Sequence, residues 1–444
     1  MFKILKRNFG YIFILFLAIV PLIMWYFMSP LGVRFSSQST AFRSLGQATG
    51  LLGMSLLSLN FILAARFKFM DRAFSGLNIV YIKHSLIGAV SFCLLLFHPI
   101  FLVVQYFLIS LKSSLLFLFS FSDWSINYGE IALLVFILLM AITFYFHFKY
   151  QNWKNTHKFL GIVLLLGSLH MFLVTSDISN NDVLKYYMLV LAILGGVSYF
   201  YRTIFGIYKK NEYQYKLESV VRVNDDVVEL RLLPFSRKIK YKAGQFVFVR
   251  FNPTTQSGNG VLAESHPFSV TSHPDDKYLI LTIKTLGDYT SMVYLLKPGA
   301  VCSIEGPFGA FSYKNSASMK QVWVAGGIGV TPFLSMARQI NFDKMSKDYQ
   351  IDLFYCIKNK DEAVYWEEFS EISIQNPNFK FHQFYSDTEG RVSAEYILKN
   401  LSDSLGIEIF LCGPAGFMQS LRNQFVKLGF NNSKIYSEEF SLSI

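Results

Sequence analysis

The stretch HSLIGAVSFCLLLFH, residues 84–98, decides the fold, because no charged residue separates its two histidines. On an α-helix rising about 1.5 Å per residue, His84 and His98 stand roughly 21 Å apart along the axis. No single metal ion reaches both. A second stretch, HKFLGIVLLLGSLH, residues 157–170, repeats the pattern, with His157 and His170 roughly 20 Å apart. If the two helices lie side by side, each histidine of one meets a histidine of the other at the same depth. That is the arrangement of two stacked six-coordinate haems.

The helical phase favours this for the first pair and strains it for the second. His84 and His98, 14 positions apart, fall about 40° short of four full turns and share a face. His157 and His170, 13 apart, are about 140° out of alignment in an ideal helix. A common face there needs a bulge or local unwinding, for which Gly161 and Gly167 offer places; different ring approaches at the two haems are the alternative. One intramembrane histidine taken alone reads equally well as a group bonded to a neighbouring carbonyl. Four in register point to function, because ionisable groups at membrane depth are costly and neutral imidazole is a common iron ligand. His147 has no partner at matching spacing and reads as a boundary residue.

Composition agrees with a membrane setting. Of the 444 residues 52% are hydrophobic and only 16% charged, too apolar for a soluble enzyme. The apolar residues form six runs before about Tyr208, at roughly 9–28, 43–65, 80–104, 129–148, 157–175 and 184–206, each long enough to cross a bilayer. Lys3, Lys6 and Arg7 precede the first run as in a signal peptide, but that run is too long and lacks a small-residue cleavage site. Lys and Arg cluster at one set of ends, including Arg66, Lys83, Lys154, Lys158 and Arg202. The other set carries only Arg34, Arg43, Lys112 and Lys185. By the positive-inside rule the N-terminus and the polar second half are cytoplasmic and the membrane is the cell's inner, plasma membrane. His84 and His157 then lie at the inner depth, His98 and His170 at the outer. The same loops account for much of the +11 net charge, so nucleic acid is not expected as a partner. The cysteines, Cys93, Cys302, Cys356 and Cys412, form no C-x-x-C-H motif; any haem is held noncovalently, as b-type.

The second half begins with short alternating segments, among them Val220–Leu232 and Phe246–Phe251, that read as strands of a small antiparallel barrel. It carries Tyr241-Lys242-Ala243-Gly244-Gln245-Phe246, then His266-Pro267-Phe268-Ser269-Val270-Thr271, then Lys284 with Gly287-Asp288-Tyr289-Thr290. Beyond it a strand, Val322-Trp323-Val324, runs into Ala325-Gly326-Gly327-Ile328-Gly329-Val330-Thr331-Pro332 and a helical stretch. A glycine turn before a helix N-terminus is an anion site, because the backbone approaches phosphates closely there and free amides point at them. Gly306-Pro307-Phe308-Gly309 precedes this turn, and Ile409-Phe410-Leu411-Cys412-Gly413-Pro414 follows it. After the next strand, Leu353–Ile357, come Lys358, Asn359 and Lys360, then Asp361 and Glu362. Cations suit a 2'-phosphate and carboxylates a free ribose diol. The lysines come first, which favours NADPH and leaves NADH open.

The paired histidines on alternate spans of a six-helix unit, followed by these motifs in this order, resemble the ferric reductase and NADPH oxidase superfamily, its bacterial NADPH oxidases above all. The resemblance covers nearly the whole chain. It implies a six-helix transmembrane haem-binding bundle over residues 1–208 joined to a cytoplasmic ferredoxin-reductase-like module. That module comprises an antiparallel FAD-binding β-barrel over 213–313 and an α/β nicotinamide-binding domain over 318–444. It further implies that Gln245, Phe246, His266, Pro267, Phe268, Ser269, Thr271, Lys284, Gly287 and Thr290 line FAD. Gly326, Gly327, Gly329, Thr331, Pro332, Lys358, Gly413 and Pro414 would line NADPH or NADH. Many ferredoxin reductases carry Arg where His266 stands, which puts in doubt how the diphosphate is neutralised. By the same resemblance Cys412 sits near the reacting nicotinamide carbon, although a small buried residue is the other reading. Phe440 covers the flavin until nicotinamide displaces it. Arg43, which also reads as an interfacial residue snorkelling to water, stands beside the outer haem. The implied activity moves electrons from NADPH through FAD and two b-type haems to dioxygen, giving superoxide. A ferric or cupric ion as acceptor, or a quinone or partner protein, are the alternatives. The bilayer, NAD(P)H and the acceptor are the expected partners, with no obligate protein partner.

Overall fold

The computed structural model describes residues 2–74, 76–118, 123–146, 150–206, 212–252, 263–343, 348–401 and 403–438. The chain divides into two compact units, Met1–Tyr208 and Lys209–Ile444.

The first unit is built on helices α1 (Phe2–Phe27), α2 (Gln38–Ala64), α3 (Leu77–Phe107), α4 (Trp124–Tyr145), α5 (Tyr150–Lys158), α6 (Leu160–Leu173) and α7 (Asp182–Tyr199). Six helical segments among the described residues are long and apolar enough to cross a membrane, and α5 and α6 together make the fifth. Caps set two starts earlier than the apolar runs alone indicate. The Ser37 side chain accepts from the Thr40 amide at the head of α2, and Asp123 accepts from the Ser125 amide at the head of α4. Each satisfies one of a helix's orphan N–H groups. Trp25, Leu51, Met54, Phe136, Leu164 and Met188 fill the bundle core. Leu134, Leu165 and Val190 point outward and are exposed, as spans facing hydrocarbon require.

The awkward phase of the fifth span has a local cause. The helix is interrupted at Phe159, where the Phe159 amide bonds to Thr156 O at 3.0 Å and the Ile162 amide to Phe159 O at 2.9 Å. Both are i→i−3 bonds, which tighten the turn and shift the phase of everything beyond. The break lies two residues before Gly161, which packs under the Tyr199 ring, and not at Gly161 or Gly167 themselves.

The second unit holds two sheets. The first, β1 (Tyr213–Arg222), β2 (Val227–Pro234), β3 (Phe246–Phe251), β4 (His266–Ser269), β5 (Leu279–Lys284) and β6 (Val301–Phe308), is antiparallel in the order β4-β3-β6-β1-β2-β5. A bridge between Val270 and Leu281 joins its two ends into a barrel. Val220–Leu232 is not one strand but the β1–β2 hairpin, because Asn224, Asp225 and Asp226 are turn formers and the Asp226 amide bonds to the Asn224 side chain. A short helix, α8 (Asp288–Val293), follows β5.

The second sheet, β7 (Lys320–Gly326), β8 (Gln350–Ile357), β9 (Phe379–Tyr385), β10 (Glu408–Cys412) and β11 (Ile435–Glu438), is parallel in the order β11-β10-β7-β8-β9. Strand order reverses between β7 and β10. Open parallel sheets bind ligands at that switch point, beyond the strands' carboxyl ends. Helices α9 (Thr331–Phe342), α10 (Trp366–Gln375) and α11 (Ala415–Lys427) accompany the sheet. Trp323, Phe333, Tyr355 and Phe410 are wholly buried in its core.

Candidate functional site

In the helical unit the four histidines meet as two pairs. The rings of His84 on α3 and His157 on α5 have centres 6.1 Å apart, with planes at 66°. Those of His98 on α3 and His170 on α6 are 6.2 Å apart, at 65°. Two metal–imidazole bonds of about 2.0 Å each, plus the reach from each nitrogen to its ring centre, need a separation of this order. Among the described residues no group of three or more His, Cys, Asp or Glu converges. Each pair of rings supplies two imidazoles, the donor set that a bis-histidine haem takes from its protein.

The second nitrogen of three of the rings tells the same story. His98 Nδ1 lies 2.7 Å from Gly46 O, His170 Nδ1 2.7 Å from Ser125 O, and His84 Nδ1 3.2 Å from Asn60 O. A carbonyl can only accept, so Nδ1 carries the proton and Nε2 keeps the lone pair a metal requires. His157 Nδ1 is buried with no hydrogen-bond partner; its ring is held by stacking on Trp153 at 5.1 Å. The His98 and His170 rings stand hard against glycine. A Cβ on Gly50 would lie 2.7 Å from His98 Nδ1, and one on Gly129 2.8 Å from His170 Nδ1. These observations fit two bis-histidine haems.

Arg43 lies on α2 one turn before Gly46 and is exposed. The buried arginine at that end is Arg34, absent from the sequence-based candidates. Its guanidinium bonds to Asp177 at 3.1 Å and to Trp25 O at 2.6 Å, and lies 3.8 Å from the centre of the Trp25 ring. Only the separation of 143 residues between Arg34 and Asp177 hid it. His147 and Phe440 lie outside the described residues.

In the barrel, His266, Pro267, Phe268 and Ser269 form β4, opposite β3 with Phe246 facing Ser269. His266, Pro267 and Phe268 remain partly exposed, a partly apolar surface on which a planar ring can lie. The His266 ring packs 3.8 Å from that of Tyr289, and its Nε2 lies 3.0 Å from Glu264. Burial pushes the Tyr289 hydroxyl well above the usual phenol range. Other candidates serve the frame. Phe246 is buried against Phe248 and Phe308. Gln245 donates to Gly309 O at 2.8 Å, and buried Thr271 donates to Ile280 O at 3.1 Å. Thr290 Oγ1 accepts from the Leu286 and Gly287 amides, so its hydroxyl shapes the loop.

The nucleotide domain places its two glycine turns against one another at the switch point. Gly326 ends β7, Gly327 takes the left-handed conformation (φ +55°), and α9 begins at Thr331 with Pro332 in its first turn. A Cβ on Gly329 would stand 2.4 Å from Cys412 O, so only glycine lets this turn meet the Cys412-Gly413-Pro414 turn after β10. Cys412 is wholly buried, and burial, with Glu438 nearby, holds its thiol well above the usual range. It is no thiolate nucleophile.

A cleft of about 440 Å³ opens beside these turns. Asn224–Val227 and Lys284 of the barrel line one side; Gly327, Ile328, Asn359, Asp361, Glu362 and Val364 of the nucleotide domain line the other. Lys284 thus lines the same cleft as Gly327 and Ile328 of the turn that follows β7. Lys358 is mostly exposed with its ammonium 3.9 Å from Glu362, and Lys360 lies over the Trp366 ring. Asp361 and Glu362 are among the residues that line the cleft.

Fold and site together define a membrane-spanning flavin oxidoreductase with a nicotinamide nucleotide domain. Residues 49–168 match the family described as the ferric reductase like transmembrane component, 212–312 an FAD-binding domain and 323–423 an oxidoreductase NAD-binding domain. In that order they are the ferric reductase and NADPH oxidase architecture, and this chain carries it. The chain is also similar to one of the subunits of the Na(+)-translocating NADH-quinone reductase of Actinobacillus succinogenes, 25% identical over 51% of this chain and 67% of the relative. Flavohemoprotein A of Dictyostelium discoideum is 22% identical over 51% of this chain and 60% of its own. Among solved structures, a flavohemoglobin from Malassezia yamatoensis aligns with a TM-score of 0.47 and 20% identity, covering 72% of this chain and 88% of its own.

Proposed function

We propose that the protein carries electrons from cytoplasmic NAD(P)H across the membrane to an acceptor on the outer side, dioxygen being reduced to superoxide. The observation that carries this reading is the pair of facing histidine sets, 6.1 and 6.2 Å between ring centres, on helices that span an apolar layer. When bound, FAD converts a two-electron hydride donor into a one-electron source, and two haems of b type carry single electrons through a layer that ions do not cross. The chain's own part is to hold and orient. His84 with His157, and His98 with His170, would hold one haem each, two imidazoles to each iron, which would leave the iron no open position for the acceptor. His266, Pro267 and Phe268 present the flavin surface. The glycine turns at Gly327 and Gly413, with Lys284, receive the nucleotide's phosphates.

The nucleotide reading moves from NADPH to NADH. Asp361 and Glu362 line the cleft, and a carboxylate there accepts from a ribose diol and repels a 2'-phosphate.

For the acceptor, dioxygen stands ahead of ferric or cupric complexes because few cations mark the outer side and Arg43 lies one turn from the His98 support. The test is cytochrome c reduction in air with and without superoxide dismutase, beside anaerobic ferric-chelate reduction. Inhibition by the dismutase supports the oxidase. Dismutase-insensitive turnover with rapid anaerobic iron reduction makes the protein a metal reductase.

A further inference from the structure

The cleft has walls from two domains, and one half-buried side chain ties those walls together. Tyr365, the residue after cleft-lining Val364, sits in the left-handed region (φ +58°), which non-glycine residues rarely occupy, at the head of α10. Its hydroxyl reaches into the barrel, donating to Glu229 Oε2 at 2.7 Å and pairing with Thr282 Oγ1 at 2.9 Å. Glu229 and Thr282 are register partners on β2 and β5, two rungs from the pair Val227 and Lys284 that lines the cleft. Two rungs of a strand span about 7 Å. The tie therefore lies about 7 Å along the strands from the cleft-lining pair.

Its neighbours make it a built junction. Glu229 is buried and its other oxygen pairs with Arg231 at 2.8 Å. Thr282 passes the chain on to Thr271 at 3.2 Å, at the end of the segment that carries His266 and Phe268. From the nucleotide domain, Arg338 donates to Thr271 O at 3.0 Å, binds Glu368 through two nitrogens at 2.6 and 2.8 Å, and lies 5.4 Å from the centre of the Tyr365 ring. A left-handed tyrosine persists only where its surroundings over-determine it, and here they do.

We propose that Tyr365 is a positioning residue that sets the width of the nucleotide cleft, coupling the nucleotide-binding wall to the flavin-bearing segment through Glu229, Thr282 and Thr271. This rests on the reading of the cleft as the NAD(P)H site. Nothing in the tie touches the nucleotide, so its effect falls on how well the cleft is preformed. A buried carboxylate that loses its donor is left unsatisfied, and the two walls then separate more easily.

The test uses the full-length protein in detergent, loaded with FAD, with ferricyanide as acceptor. Tyr365→Phe should raise KM for NADH by about tenfold, leave kcat within about twofold, and speed amide exchange at residues 363–369 and 279–284 with no nucleotide present. Tyr365→Phe combined with Glu229→Gln, whose neutral amide tolerates the missing donor, should recover much of the loss. An unchanged KM with unchanged exchange would overturn the proposal, as would a fall in kcat alone. If the unmutated protein oxidises neither nucleotide, the reading of the cleft fails, and the tie then stands or falls on the exchange measurement.

Discussion

His98 and His170 face each other with ring centres 6.2 Å apart, although 13 and 14 are different spacings on the two spans and cannot both align on regular helices. The interruption at Phe159 reconciles them. Each ring is then fixed from behind, His98 by Gly46 O and His170 by Ser125 O, and the Ser125 carbonyl is held in place by the Asp123 cap at the head of α4.

The pair His98 and His170 is the more sensitive to small changes of volume. Gly50→Ala and Gly129→Ala each place a methyl within 2.8 Å of a ring nitrogen, and the histidine must move. Both variants should lose the outer haem and keep the inner one, halving the haem per chain by pyridine haemochrome assay. His98→Leu should do the same and leave NADH-driven reduction of ferricyanide through flavin intact.

Nucleotide choice is the next expectation. Asp361→Asn removes a carboxylate from the cleft, so kcat/KM for NADPH should rise relative to NADH by about tenfold, the scale of one charged hydrogen bond. The unmutated protein should prefer NADH. Steady-state rates with each nucleotide and ferricyanide decide it.

Arg34 predicts a stability effect at the outer end. Arg34→Ala leaves Asp177 and Trp25 O without their donor, and breaking a buried ion pair in this way costs about 3 kcal/mol. Thermal unfolding followed by tryptophan fluorescence should show a lowered midpoint, with Asp177→Asn milder.

Alkaline pH should weaken the second unit for a definable reason. Burial pushes the Cys356 thiol up to about 12 and Cys412 well above its ordinary value of 9.0. The unfolded chain releases these protons near pH 9 while the folded chain retains them, so stability is fully present below about pH 9 and falls as pH rises toward the folded values. Melting temperatures measured between about pH 8 and 10.5 should decline. In a variant with Cys356→Ser and Cys412→Ser the decline should be shallower.

Much of this was legible in the sequence because it is local or periodic. Six apolar runs, two spaced histidine pairs and two glycine turns are patterns within single segments, and hydrocarbon leaves a spanning chain few other options. What escaped depends on distant contacts. Arg34 finds Asp177, Tyr365 finds Glu229, and Gly50 matters only because His98 of another helix lies against it. Which side chains of the turn from Lys358 to Glu362 line the cleft is hidden for a related reason: sequence order gives no information on which of them face inward. The Phe159 break left no glycine or proline at its own position to announce it.

The proposed arrangement, two haems held in series by the two histidine pairs behind a flavin, makes a definite optical prediction. Once haem has been quantified, the full-length protein is titrated anaerobically with NADH, with and without FAD, and its absorption spectrum followed. Two low-spin b-type haems per chain are expected, both reduced by NADH only when FAD is present. One haem or none per chain in protein purified with its full cofactor supply, or haem reduction by NADH without flavin, would show the arrangement to be wrong.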